Sequence, residues 1–210
     1  MKGVIFIGGD SPRPVICRKL AQDAYIIIAA DSGLIAAEAA GIKPNWIIGD
    51  MDSLEDKDLL EKYPPDIILQ YPVDKDLTDT ELACEFLFNK NCNKITLIGG
   101  GGGRLAHIMA LLAMFERELC PVRWRTANED IFLLKEAGKF NVDSGTMISI
   151  FPAGQGPWNV TSKNLKWKLD DLVWSRGYFG ISNTALKKNI SIDVIQGAFL
   201  LIIEYKPDMR

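Results

Sequence analysis

The sequence predicts an α/β fold, with a parallel sheet flanked by helices first and a smaller antiparallel β domain second. Three observations predict it. Over the first two-thirds of the chain, short apolar runs alternate with helix-like segments. Each of those runs closes on glycine or aspartate, as strands do where they enter βα loops. After about residue 135 the apolar runs are separated by Gly, Pro, Asn and Ser with no helix between them. The expected division is residues 1–135 and 138–210.

In order, residues 4–7 (VIFI) form the first strand, followed by a turn over 8–14 and a helix over 15–22. Residues 25–29 form the second strand, and the turn Ala30-Asp31-Ser32-Gly33 leads into a helix over 34–40 that Gly41 stops. Residues 46–48 are a third strand closed by Gly49-Asp50-Met51-Asp52-Ser53, and residues 66–69 are a fourth. A helix over 80–89, a fifth strand over 94–98, the run Gly99 to Gly103 and a helix over 105–118 complete the first domain. In the second, 147–151, 190–195 and 199–204 read as strands, with a short helix over 170–175.

Composition narrows the function. The 210 residues are 48% hydrophobic, enough for a sizeable core. Lys and Arg number 24 against 27 Asp and Glu, with no long run of like charge, so no nucleic-acid partner is expected. No apolar stretch approaches the roughly 20 residues of a membrane helix, and the N-terminus lacks a signal-peptide pattern. Cys17, Cys84, Cys92 and Cys120 form no CxxC pair and read as buried thiols of a cytoplasmic protein. With one histidine, His107, any metal should be a hard ion held by oxygen.

Ligands of open parallel sheets collect at the carboxyl ends of the strands, where Asp31, Asp50, Asp52, Asp74, Asp76 and Asp79 should all fall. Asp50 and Asp52, two apart, either share a divalent cation or form an Asx-rich turn capped by Ser53. Magnesium prefers one or two carboxylates plus water and phosphate, which suits a nucleotide site. In Asp74-Lys75-Asp76-Leu77-Thr78-Asp79-Thr80-Glu81, a capping box from Thr78 to Glu81 accounts for the hydroxyl and the glutamate. It leaves Lys75 among acids, where a polyphosphate and its metal would meet. Gly99 to Gly103 and Arg104 present backbone N–H groups and a guanidinium at a helix N-terminus. They match neither a Walker A loop nor GxGxxG. His107, one turn on, either faces that site or is structural. Asp31 either caps its helix, binds a ribose hydroxyl or joins the metal cluster. Trp167, Ser182 and Asn183 suit a flat heterocycle, although Trp167 is equally consistent with a core position.

Taken in order, these motifs resemble those of the thiamine pyrophosphokinase family. Ala30-Asp31-Ser32-Gly33 resembles its A-D-G-G turn, and Gly41-Ile42-Lys43-Pro44 through Gly49-Asp50-Met51-Asp52-Ser53 resembles G-I-x-P-D-x-x-I-G-D-x-D-S. Asp76-Leu77-Thr78-Asp79 follows D-x-T-D, and Gly102-Gly103-Arg104 with His107 follows G-G-R-x-D-H. Leu165-Lys166-Trp167 and Ser182-Asn183 resemble its L-K-[WY] and S-N elements.

The resemblance implies a Rossmann-like ATP- and Mg2+-binding domain, a C-terminal β-sandwich that binds thiamine, and a homodimer. It implies attack of the thiamine hydroxyl on the β-phosphorus of MgATP, giving thiamine diphosphate and AMP. Asp50, Asp52 and Asp79 are then the expected metal ligands, and Lys75, Arg104 and Asp79 the catalytic groups. ATP would be seated by Asp31, Ser32, Gly33, Thr78, Gly102, Gly103 and His107, and thiamine by Trp167, Ser182 and Asn183. One departure stands out: Ala106 replaces the aspartate of G-G-R-x-D-H. It leaves two alternatives, a pyrophosphokinase for another heterocyclic alcohol and a binding protein without catalysis.

Overall fold

The computed structural model describes residues 1–54 and 57–205. They fall into two compact units, one of residues 1–114 and 118–127, the other of residues 115–117 and 128 onward. Residues 206–210, expected at the end of the second domain, lie outside the described residues.

The first unit contains β1 (Lys2–Phe6), α1 (Pro14–Ala21), β2 (Ile26–Ala30), α2 (Gly33–Ala39) and β3 (Trp46–Gly49). Then come β4 (Ile68–Gln70), α3 (Asp79–Asn89), β5 (Lys94–Ile98), α4 (Leu105–Met114) and β6 (Arg123–Arg125). The strands lie in the order β6-β5-β1-β2-β3-β4 and every pair is parallel. Helices cover both faces, which is why the central strands are apolar throughout rather than alternating. Val4 and Phe6 pack with Cys17, Leu20, Ala37 and Ala40 of the α1 and α2 side. On the opposite face a Cβ at Gly3 would stand 2.6 Å from Leu87 Cδ1 of α3. Gly33 has a packing role of its own, since a Cβ there would sit 2.1 Å from the Phe6 carbonyl oxygen.

This is the Rossmann-like sheet expected. The chain reverses direction across the sheet between β1 and β5, and the loops that follow these strands meet through an Asp10–Gly101 bridge. Two boundaries differ from expectation. Residues 65–67 form a 3-10 turn before β4, and α4 stops at Met114, after which residues 115–117 group with the second unit. There Glu116 accepts a hydrogen bond from the Gly154 N–H, at 3.1 Å.

The second unit holds β7 (Glu129–Leu134), β8 (Gly138–Asn141), β9 (Met147–Ala153), β10 (Asn159–Lys163), β11 (Gly180–Thr184), β12 (Asn189–Gln196) and β13 (Ala198–Glu204). One antiparallel layer runs β11-β9-β13-β7 and the other β10-β12-β8. Ile148, Ile150, Phe199 and Leu201 of the first layer share a core with Val160, Ile190 and Ile192 of the second, so the unit is a β-sandwich. The helix expected over 170–175 is absent. That stretch is irregular, held by the buried Leu169 and Trp174 and by the Asp170 carboxylate accepting from the Ser162 N–H.

Candidate active site

The carboxyl ends of β2 and β3 and the N-terminus of α3 deliver Asp31, Asp50 and Asp79 to one place, with carboxylate oxygens all within 4.8 Å of one another. Each position has a local cause. Asp31 follows the last residue of β2, where its N–H still donates to the Ile48 carbonyl and its φ of 48° turns the chain toward α2. Gly49, at φ 154°, leaves the room: a Cβ there would lie 3.1 Å from Asp31 Cβ and 3.2 Å from Asp79 Cγ. Asp50 is oriented by the Asp52 N–H, which donates to its Oδ1 at 3.2 Å. Asp79 is the first residue of α3, preceded by a complete capping box. In that box Thr78 Oγ1 accepts from the Glu81 N–H and the Glu81 carboxylate accepts from the Thr78 N–H.

Lys75 is the cation of this cluster. Its ammonium donates to Asp50 Oδ2 and lies 3.1 Å from Asp79 Oδ1. Asp31 is only 9% exposed, and among the described residues its Oδ1 has no hydrogen-bond partner, while its Oδ2 accepts from the Ser53 hydroxyl. At an effective dielectric of about 20, two full charges 4.8 Å apart repel by roughly 3 kcal/mol. Burial, with the charges of Asp79, Asp50 and Asp52 adding to it, pushes Asp31 up to about 6. Desolvation likewise raises Asp79 against the pull of Lys75. The Lys75 hydrogen bond holds Asp50 below its ordinary range. Burial disfavours the Lys75 charge, but the Asp50 and Asp79 carboxylates outweigh it and raise the lysine. A half-buried group of hard oxygen donors, in which Asp31 Oδ1 and Asp79 Oδ1 accept no hydrogen bond among the described residues, is the donor set a magnesium ion prefers.

Asp52, Asp74 and Asp76 are exposed and outside this group. Asp31 therefore completes the set whose oxygens converge, and Asp52 acts on Asp50 through its backbone. Ser32 stands at the N-cap of α2, yet its hydroxyl makes no capping hydrogen bond. Ser53 and Gly49, absent from the predicted site, belong to its frame. Their signal was their place in the Gly49 to Ser53 motif.

In the glycine run, the N–H groups of Gly99, Gly100 and Gly101 are engaged by Arg125, Gly8 and Asp10 carbonyls. Gly102 and Gly103 are exposed, and a Cβ on Gly103 would meet nothing within 4 Å, so this end of the run is open to an anion. A Cβ on Gly102 would fall 2.2 Å from Asp10 Oδ2, a neighbour the sequence did not announce. Arg104 is exposed and its Nη2 lies 2.6 Å from His107 Nε2. A guanidinium only donates, so in this contact Nε2 is the acceptor. His107 is not a core histidine. Ala106 is exposed on the same helix.

The second unit places Trp167 at its surface, 53% exposed, with the Lys166 ammonium 4.4 Å above its ring, which excludes the core alternative. Asn183 is buried and clamps the backbone of Trp167: its Oδ1 accepts from the Trp167 N–H at 3.1 Å and its Nδ2 donates to the Trp167 carbonyl at 2.7 Å. Ser182 is exposed at φ 58°.

Comparison with known proteins agrees with this anatomy. Residues 17–121 match the thiamin pyrophosphokinase catalytic domain, and residues 135–198 match the thiamin pyrophosphokinase vitamin B1 binding domain. Thiamine pyrophosphokinase of Bacillus subtilis is 33% identical over 183 residues, 83% of this chain and 85% of that protein. Its crystal structure superposes with a TM-score of 0.80 at 20% identity, covering 98% of this chain and 100% of the other. The Geobacillus thermodenitrificans thiamin pyrophosphokinase structure gives 0.76 at 24% identity, covering 98% of both chains. The yeast structure gives 0.68 at 18%, covering 99% of this chain and 87% of its own. With both domains matched in order, this chain belongs to the thiamin pyrophosphokinase family.

Proposed function

We propose that the protein transfers the pyrophosphoryl group of ATP to the hydroxyl of thiamine, giving thiamine diphosphate and AMP. The observation that carries this is the convergence of Asp31, Asp50 and Asp79 with Lys75 at the carboxyl edge of the parallel sheet, in a member of this family. Asp50 and Asp79, with Asp31 beside them, would hold Mg2+, and Asp52 fixes the orientation of Asp50. A bound Mg2+ supplies positive charge to neutralise the transferring group. Arg104 and the open N–H groups at Gly102 and Gly103 receive phosphate oxygens, with His107 orienting the guanidinium. Asp79 accepts the proton of the attacking hydroxyl.

Trp167 offers its face to the heterocycle, and Asn183 acts by holding the Trp167 backbone. Ser32, Gly33 and Thr78 serve the site as frame, through the α2 turn and the α3 cap. A homodimer is part of this reading. Its support is the edge strand β11, whose Ile181 is 56% exposed, and Val173 at 87% exposed. Four buried cysteine thiols, none in a disulfide, support a reducing, cytoplasmic setting. No helix among the described residues is long and apolar enough to cross a membrane.

The test is to follow AMP and thiamine diphosphate together from ATP, Mg2+ and thiamine. Equal, thiamine-dependent formation of both is expected, with Ala106 tolerated. Thiamine binding with neither product would overturn the assignment in favour of a non-catalytic homologue, and AMP release on another alcohol alone would redirect it to a different acceptor.

A further inference from the structure

We infer that Lys75 is the resident counter-ion of the metal-free carboxylate cluster, and that it leaves Asp50 and Asp79 when a divalent cation is taken up, so that its ammonium becomes available to phosphate oxygens. The inference rests on the magnesium site proposed above and adds an order of events to it.

The ammonium is an incomplete occupant of this place. It brings one positive charge to three carboxylates within 4.8 Å of each other, and it pairs with Asp50 and Asp79. Asp31 Oδ1, in a side chain only 9% exposed, still has no hydrogen-bond partner among the described residues. A divalent cation carries twice the charge, and oxygen is its natural ligand. Replacing the ammonium by such a cation would therefore satisfy the orphaned oxygen as well as the two that Lys75 now holds. Lys75 can make room because it lies between strand β4 and helix α3, outside both, on a four-carbon stem that swings without moving the backbone. Its side chain is 14% exposed while paired, so departure changes its access to solvent by a large factor.

The experiment uses the full chain freed of metal. Mn2+ affinity is measured by electron paramagnetic resonance, and lysine acetylation by acetic anhydride is mapped by mass spectrometry with and without saturating Mg2+. Lys75 acetylation should rise about threefold or more with Mg2+ as the amine leaves its two carboxylates, while exposed Lys62 stays unchanged. Lys75→Gln should bind Mn2+ about tenfold more tightly than the wild type, because the competing cation is gone, and Lys75→Arg should not. Mn2+ bound by the wild type with Lys75 acetylation unchanged would overturn the inference and leave the metal site standing. Equal Mn2+ affinity of Lys75→Gln and wild type would do the same. No Mn2+ binding by the wild type would overturn the metal site itself and this inference with it. If Lys75→Gln does not fold, the acetylation measurement on the wild type still decides.

Discussion

Asp31 shows how one residue's environment sets a measurable property of the protein. Its pKa is raised from 3.8 to about 6, chiefly by burial. A carboxyl raised on folding binds its proton more tightly in the folded state. The stability it contributes is therefore complete below about pH 4 and is lost as pH rises through about 6. Asp31→Asn should accordingly stabilise the metal-free protein at pH 7.5, by up to about 3 kcal/mol, and leave it nearly unchanged at pH 4. Thermal denaturation at the two values checks this, and equal shifts at both would remove the assignment. Gly49 is the complementary case. Gly49→Ala would press a methyl against Asp31 and Asp79 from a backbone that only glycine adopts readily. We expect loss of activity well beyond any loss of stability, read as kcat against Tm. The sequence pointed to both residues through their motif, but their contact depends on neighbouring strands and was not legible from local spacing.

At the scale of elements, the helix α3 positions Asp79 and α4 positions Arg104 and His107. The capping box of α3 is legible in the sequence, because its spacing is local and its hydrogen bonds reach only three residues. Thr78→Ala should cost about 1 kcal/mol, a fall of roughly 2–4 °C in Tm, whereas Thr78→Ser should restore most of it. A still larger fall in kcat for Thr78→Ala would indicate that displacement of Asp79 adds to the lost cap. The glycine run is legible only as a set of N–H groups. Three of them turn out to be engaged by Arg125, Gly8 and Asp10 across the sheet edge, which leaves the Gly102–Gly103 end as the open part. Likewise β10 and β11, with sequences NVTSK and GISNT, are too polar and short to announce themselves, and pairing with β12 and β9 makes them strands. Conversely, the segment 170–175 reads as helical from its residues, but Leu169 and Trp174 are drawn into the sandwich core and hold it irregular.

For the molecule as a whole, stability and assembly are the quantities to test. Leu201 is fully buried in the sandwich core, so Leu201→Ala should cost about 2–5 kcal/mol, read by denaturant unfolding. If the proposed homodimer forms through this face, Ile181→Asp with Val173→Asp should give a monomer in sedimentation velocity where the wild type sediments as a dimer, since both side chains are exposed and apolar. An unchanged dimer would place the interface elsewhere. The sequence by itself determined the α/β order of the first unit, the antiparallel character of the second, and the set of acidic and glycine-rich loops from which a site is built. These follow from periodicity, caps and turn residues, which act over a few neighbours along the chain. Tertiary structure alone decided that Asp31 lies beside Asp50 and Asp79, that Lys75 lies between two of them, and that Trp167 is held at the surface by Asn183. Those outcomes depend on strand register and close packing between segments remote in sequence, where a displacement of one residue would move every side chain to another face.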